Sequence, residues 1–251
     1  LISGCANEPI NILTDLKLND GLYYKTGENK PYTGEVFSNF SNRTKKTSGH
    51  LLDGKRDGIW TENYENGRIK LKASFKNGKA NGIRIEWYDN GVKKQEGNFK
   101  NDDYDGRWLK WHPSGSLSAE GNYIKNKEEG RHTFWYSNGN KKSEAFFSNG
   151  RITGDRTDWY INGQKKEHGS IDGVWTQWYE NGVRKAYGKY KNQFPIGEHL
   201  LWYPNGNKKS STKFINGIPH GSRMEWYKNG NKKEAGQFSN GKESGIWTYY
   251  N

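Results

Sequence analysis

Aromatic and polar residues alternate in short runs broken by glycine along nearly the whole chain, and the pattern returns every 24 residues. One unit runs Gly82-Ile83-Arg84-Ile85-Glu86-Trp87-Tyr88-Asp89-Asn90-Gly91 and continues Val92-Lys93-Lys94-Gln95-Glu96-Gly97-Asn98-Phe99. Its large residues recur at a period of two, the spacing of a half-buried strand, and no segment keeps a helical period. Gly67, Gly91, Gly115, Gly139 and Gly163 stand 24 apart; one step of 19 leads to Gly182, and the step of 24 returns at Gly206 and Gly230. A second series, Gly58, Gly82, Gly106, Gly130, Gly154, Gly173, Gly197, Gly221 and Gly245, has its own step of 19 between Gly154 and Gly173. One unit is therefore five residues short. A fixed period of this size belongs to a repeat architecture rather than a compact enzyme domain.

Asn-Gly between two aromatic-bearing runs signals a hairpin with a type I′ turn, because both central residues then need φ > 0. At Asn90-Gly91 this predicts Asp89 opposite Val92, Tyr88 opposite Lys93 and Trp87 opposite Lys94. The second turn of each unit, as in Asn149-Gly150-Arg151-Ile152-Thr153-Gly154, reads as longer, with Asn101-Asp102 and Asn126-Lys127 replacing Asn-Gly. Each unit is two short strands and two turns. The fold expected is all-β, an extended antiparallel β-meander of about nine hairpin units in a single twisted sheet. A shortened hairpin is expected at Lys166–Gly173.

Only 31% of residues are hydrophobic and the mean hydropathy is −1.17, values that drift toward the disordered class. The 11 Trp, 16 Tyr and 10 Phe argue the other way, for an ordered chain with a thin core made of rings. Five residues after each second-series glycine comes Trp87, Trp111, Trp135, Trp159, Trp178, Trp202 or Trp226, with Tyr250 in the last unit and Asn63 in the first. The next residue is Tyr64, Tyr88, Tyr136, Tyr160, Tyr179, Tyr203 or Tyr227, with His112 replacing one. Alternation puts the two columns on opposite faces. The tryptophans are expected as the core. The ladder Tyr88, Tyr136, Tyr160, Tyr179, Tyr203 and Tyr227 is either a half-exposed second layer or an aromatic groove for sugar rings or a partner's apolar side chains.

Net charge is +12, which favours anionic partners. Three residues after the turn glycine stand Lys46, Lys70, Lys94, Lys142, Lys166, Lys185, Lys209 and Lys233, interrupted by Ser118. In the predicted register each lies across from a tryptophan, its stem covering the indole. Lys70, Lys94, Lys142, Lys166, Lys185, Lys209 and Lys233 then make a basic stripe with a charge every ~10 Å, fit for anionic glycans or lipid headgroups. Lys93, Lys141, Lys165, Arg184, Lys208 and Lys232 would form a parallel stripe on the tyrosine face.

The single cysteine, Cys5, excludes an intramolecular disulfide. Its setting, Leu1-Ile2-Ser3-Gly4-Cys5, resembles a bacterial lipobox, in which the cysteine is lipidated and becomes N-terminal. Residues 1–4 then read as a signal-peptide remnant, 5–20 as the lipidated N-terminus and tether, and 21–251 as the repeat domain. With no run of ~20 apolar residues, acyl chains would be the anchor. Catalytic and cofactor motifs are missing: the six histidines are scattered in phase, and there is no serine elbow or phosphate loop. Asn101-Asp102-Asp103-Tyr104-Asp105-Gly106 mimics a calcium loop but carries His112 where a bidentate glutamate belongs. The expectation is no metal, no cofactor and no enzyme activity.

The unit G-x-W-x-x-W-Y-x-N-G-x-x-K-x-x-G-x-F-x-N-G resembles the MORN-repeat variant of bacteria, whose members are often described as YwqK-type antitoxin repeats. The resemblance covers nearly all of residues 21–251; choline- or glucan-binding repeats share the Trp-Tyr-x-Asn-Gly string but run nearer 20 residues. It implies an extended meander used for association with proteins or membranes and no catalytic set. The function expected is a non-enzymatic, lipid-anchored protein-interaction scaffold in a bacterial envelope complex, at the outer membrane. An antitoxin or immunity protein that binds a toxin, and a cell-wall, glycan or anionic-lipid binding module, are the alternatives. Nucleic acid is disfavoured because a lipobox places the chain across the membrane from it.

Overall fold

The computed structural model describes residues 8–250. They are nearly all strand and fall into two compact units, one ending at Gly130 and one beginning at Arg131. The first opens with β1 (Ile10–Asn11), a single helical turn α1 (Ile12–Asp15), β2 (Leu16–Asn19) and β3 (Leu22–Lys25). The repeat strands follow: β4 (Gly34–Asn39), β5 (Lys45–Leu52), β6 (Lys55–Asn63), β7 (Ile69–Lys76), β8 (Lys79–Trp87), β9 (Lys93–Lys100), β10 (Asp103–Trp111) and β11 (Leu117–Ile124). From β4 to β11 each pairs antiparallel with the next, the expected meander. After β12 (Lys127–Trp135), which carries the chain past the boundary, the second unit contains β13 (Lys141–Ser148), β14 (Arg151–Trp159), β15 (Lys165–Gly169), β16 (Val174–Trp178), β17 (Arg184–Lys191), β18 (Phe194–Trp202), β19 (Lys208–Ile215), β20 (Ile218–Trp226), β21 (Lys232–Ser239) and β22 (Lys242–Tyr249). From β13 on, these too pair antiparallel in sequence order. The missing five residues shorten β15 and β16 to five residues each.

The two turns exchange the roles the sequence assigns them. At Asn90-Gly91 only Gly91 is left-handed (φ 87°). The Gly91 N–H donates to Tyr88 O at 2.9 Å and the Tyr88 N–H to Val92 O at 2.8 Å, so the loop is a type I turn closed by a glycine bulge. Asn90 Oδ1 accepts from the Val92 N–H at 2.9 Å, which is what asparagine contributes there. The extra residue shifts the register: Trp87 faces Lys93 and Glu86 faces Gln95, where Trp87 opposite Lys94 was expected. The second turn is the tight I′ hairpin. Asn149 and Gly150 are both left-handed (52° and 79°), and Ser148 pairs with Arg151. Gly154, expected at the end of a longer turn, lies inside β14.

Most second-series glycines mark bulges that build the core. Between the pairs Asp105–Asn98 and Leu109–Glu96, three residues, Gly106-Arg107-Trp108, oppose the single Gly97. Gly106 takes φ 79° to do this. The Trp108 indole folds over Gly97, and its Nε1–H donates to Asn98 O at 3.2 Å. A Cβ on residue 97 would sit 2.2 Å from Trp108 Cδ2, so nothing larger than glycine fits under the ring. Trp60 covers Gly49 in the same way. The position two residues after the second-series glycine is where rings become fully buried, at Trp60, His132 and Trp108, the last 2% exposed. Trp175, His199 and Trp247 there are half-buried and Arg156 is exposed. The tryptophans five residues after that glycine, expected as the core, are half-buried, because the three-residue bulge turns the earlier position inward.

In the first unit Val36, Leu51 and Trp60 form the apolar centre, with Ile10, Ile12, Leu16, Tyr23, Tyr32 and Phe75 against it. Strand β1 lies parallel on β4, Ile10 opposite Val36 and Asn11 opposite Phe37. Residues 10–19, expected within the tether, therefore cap the sheet: three apolar side chains find a core there, and β1 satisfies the edge of β4. In the second unit the buried side chains are mainly polar, His132, Thr133, Asp158, Thr176, Ser210, Ser211 and Thr212 beside Ala145.

Candidate functional site

In seven units a tyrosine hydroxyl at the first turn reaches into the next repeat, and His112 takes that place in one. In the first compact unit Tyr64 Oη donates to Trp87 O at 2.7 Å and Tyr88 Oη to Trp111 O at 2.9 Å. In the second, Tyr136 donates to Trp159 O, Tyr160 to Trp178 O, Tyr179 to Trp202 O and Tyr203 to Trp226 O, all at 2.8–3.0 Å, and Tyr227 to Tyr250 O at 3.4 Å. Asparagines of the first turn make a parallel set, as from Asn90 Nδ2 to Pro113 O at 3.0 Å and Asn181 Nδ2 to Pro204 O at 3.0 Å. These bonds tie hairpin to hairpin where the strand ladder has ended. Burial, followed by the charges of Asp89 and Glu86, pushes the Tyr64 hydroxyl above the usual phenol range, so it stays a donor.

The lysines stack on these rings in the reverse of the expected assignment. Lys70 Nζ lies 5.9 Å from the Tyr64 centroid and Lys94 Nζ 5.8 Å from that of Tyr88. In the second unit Lys142, Lys166, Lys185 and Lys209 sit 5.8–6.0 Å over Tyr136, Tyr160, Tyr179 and Tyr203. The residue before each belongs to the tryptophan column: Lys93 over Trp111, Lys141 over Trp159, Arg184 over Trp202 and Lys208 over Trp226, at 5.2–5.8 Å. The bulge at the first turn is the cause, since the added residue exchanges the faces of the two basic positions. With hydroxyl and ring face both engaged, the tyrosine ladder is a staple between hairpins and a platform for lysine rather than an open groove.

Ion pairs touch few members of either basic column. Lys93 pairs with Glu96, and Lys141 with Glu144 at 2.7 Å. Among the described residues Lys70, Lys94, Lys142, Lys166, Lys185 and Lys209 have no ion pair within 4.0 Å, whereas Lys233 is held by Glu225 at 3.2 Å. In the first unit the tyrosine-side lysines line a cleft of about 280 Å³ together with Arg56, Trp60, Glu62, Arg84 and Glu86. Burial works against ionising Glu86, but hydrogen bonds from Arg84 and Gln95 and the charges of Arg84 and Lys94 hold its carboxyl below the usual range. Cys5 lies outside the described residues. Among the described residues no group of three or more His, Cys, Asp or Glu side chains could hold a metal, and no helix is long and apolar enough to cross a membrane.

One feature in the second unit escaped the sequence reading. Asp158 and Glu167 face each other across β14 and β15, with Arg156 Nη2 at 2.7 Å from Asp158 Oδ2 and Gln177 Nε2 donating to Glu167 Oε2 at 3.2 Å. Burial raises Glu167, and the Asp158 carboxylate raises it further. Burial also opposes ionisation of Asp158, yet hydrogen bonds from Ser143, Glu167 and Arg156 hold it below the usual range. The pair is thus pushed apart: Glu167 holds its proton more tightly than a free glutamic acid and Asp158 less tightly than a free aspartic acid. They lie across the first turn at Asn162-Gly163, and such a pair is too infrequent among the units to give a pattern to find them by.

The model of the MORN repeat variant matches this chain at residues 56–77, 80–101, 104–125, 128–149 and 171–192. The matched stretches skip residues 150–170 and resume at the turn of the shortened hairpin. No curated protein matches. Among solved structures, one titled "Crystal Structure of TcdB2-TccC3-Cdc42" matches at 10% identity with a TM-score of 0.21, over 86% of this chain and 13% of that one. A likeness that low carries no argument about fold or function. Five stretches of this chain match the MORN repeat variant, four of them consecutive and the fifth beginning within the shortened hairpin.

Proposed function

We propose that the chain is a non-catalytic binding scaffold, held at the outer membrane of a bacterial envelope through a lipidated Cys5, that presents its tyrosine-side lysines to an acidic surface of a membrane-protein partner. The observation that carries the reading is the row of ring-supported lysines without acidic partners, Lys70 and Lys94 in one unit and Lys142, Lys166, Lys185 and Lys209 in the other. Direct ion pairs to glutamate are made by Lys93 and Lys141 of the tryptophan-side column and, in the tyrosine-side column, by Lys233. A lysine whose stem already rests on a ring loses less rotamer freedom when an anion arrives, so such a row is preorganised for charge. The anchor rests on the residues around Cys5 alone.

The test is gentle-detergent purification from membranes with mass spectrometry of co-purifying chains. Cys5→Ala is expected to release a folded protein from the membrane fraction. Charge reversal of Lys142, Lys166, Lys185 and Lys209 to Glu is expected to leave the protein membrane-bound and strip a stoichiometric partner from it. Retention of that partner by the reversed variant overturns the lysine reading. A soluble, unlipidated chain bound to a small toxin overturns the anchor and replaces the scaffold with an antitoxin.

A further inference from the structure

We infer that the shortened hairpin of the second unit creates a binding site for one neutral sugar ring, in a cavity against Trp175. The cavity measures about 370 Å³, within the range of small-molecule sites, and is walled by Ile171, Trp175, Tyr190 and His199 with Ser170, Gln177 and Gln193 among its polar groups.

The cavity follows from the missing residues. In the full unit at Trp108 the stretch between Gly97 and Gly106 supplies two rings that brace the indole: Phe99 and Tyr104 lie 5.4 and 4.3 Å from it, centroid to centroid. Phe238 braces Trp247 at 5.3 Å in the same way. The short unit runs from Gly169 to Gly173 with only Ser170, Ile171 and Asp172 between, and Ile171 is left 55% exposed at the turn. Among the described residues Trp175 makes no ring contact. The space that an aromatic brace fills beside Trp108 and Trp247 is open beside it.

The lining also decides the ligand class. Charged residues make 27% of the chain, yet no Lys, Arg, Asp or Glu lines this cavity. An ionic ligand would lose its hydration there without a counter-charge. A pyranose fits: its C–H face is weakly positive and stacks on the negative face of an indole, while its hydroxyls need donors and acceptors at the edge. Gln177 donates to Glu167 and keeps Oε1 as an acceptor, and Gln193, in the next turn, offers a full amide. His199 Nε2 donates to Lys189 O at 3.0 Å, which leaves Nδ1 an acceptor. The site uses none of the lysines on which the scaffold reading rests.

The experiment is saturation-transfer NMR on the full chain with glucose, N-acetylglucosamine and maltotriose as neutral probes and glucuronate as the charged control. Neutral probes are expected to show transfer at millimolar concentration, and glucuronate at least tenfold less. Trp175→Ala should weaken binding at least tenfold. Because that change also costs stability, Ile171→Trp, on the exposed turn, is the companion: it should fill the cavity and abolish transfer with the circular dichroism spectrum unchanged. Absence of transfer from every neutral probe at ~10 mM overturns the site. So does transfer that survives Ile171→Trp, or binding of glucuronate that disappears on reversing Lys166 and Lys185, which would place the ligand on the basic column.

Discussion

The hydroxyl of Tyr88 donates to the carbonyl of Trp111, 23 residues ahead, at 2.9 Å. The bond spans neighbouring hairpins at their turn ends, beyond the strand ladder. Tyr88→Phe keeps the ring under Lys94 and removes only this bond. It is expected to cost about 1 kcal/mol, as a half-buried carbonyl loses its partner. Tyr179→Phe should cost the same, and the double variant the sum, since the two bonds share no partner. Urea midpoints of the three variants check this; a loss below ~0.3 kcal/mol for each would make the ladder decorative.

Gly97 and Trp108 make a second, sterically stricter pair. The residue eleven before each inward ring is glycine at Gly49/Trp60, Gly97/Trp108, Gly188/His199 and Gly236/Trp247. Where the inward residue is arginine, its partner is larger: Ala73 faces Arg84, Ala145 faces Arg156 and Thr212 faces Arg223. Gly97→Ala should therefore destabilise by roughly 1–3 kcal/mol through overpacking. Adding Trp108→Arg should return part of that loss, because it recreates the Ala73–Arg84 combination. A double variant less stable than the sum of both singles would refute the pairing rule.

Burial separates the two tryptophan columns energetically. Trp108→Ala should cost about 3–5 kcal/mol, as buried large-to-small changes do. Trp178, half-buried and expected from the sequence to be core, should cost distinctly less on the same change, with thermal unfolding as the readout. Equal losses would put the core back on the column read from the sequence.

The period, the meander and the site of the shortened hairpin were all legible, because glycine spacing survives whatever the side chains do. The register was not. Asn90-Gly91 and Asn149-Gly150 are the same dipeptide, yet one closes a type I turn with a bulge and the other a type I′ turn. The dipeptide alone does not count the residues in the loop, and one added residue exchanged Lys93 and Lys94 between the tryptophan and tyrosine columns. The inward column was hidden for a related reason: Trp60, Arg84, Trp108 and His132 do not look like one position until the bulge at the preceding glycine is known. The eleven-residue pairing of glycine with ring, and of alanine or threonine with arginine, was present in the sequence as a signal of that position.

The Asp158–Glu167 pair gives the chain a stability term of defined sign. Glu167 titrates above its unfolded value, so what it contributes is complete below about pH 4 and is lost as pH rises through its folded value. Glu167→Gln keeps a neutral, hydrogen-bonding side chain in place and has no such loss. The variant should match the parent near pH 4 and exceed it in stability at pH 7, read from urea midpoints at the two values. Asp158 works the other way: its depressed value adds stability above the ordinary aspartate range that disappears on acidification. Asp158→Asn should therefore weaken the protein at pH 7 and lose that effect in acid. If Glu167→Gln is no more stable than the parent at pH 7, burial and the neighbouring Asp158 do not raise the Glu167 carboxyl.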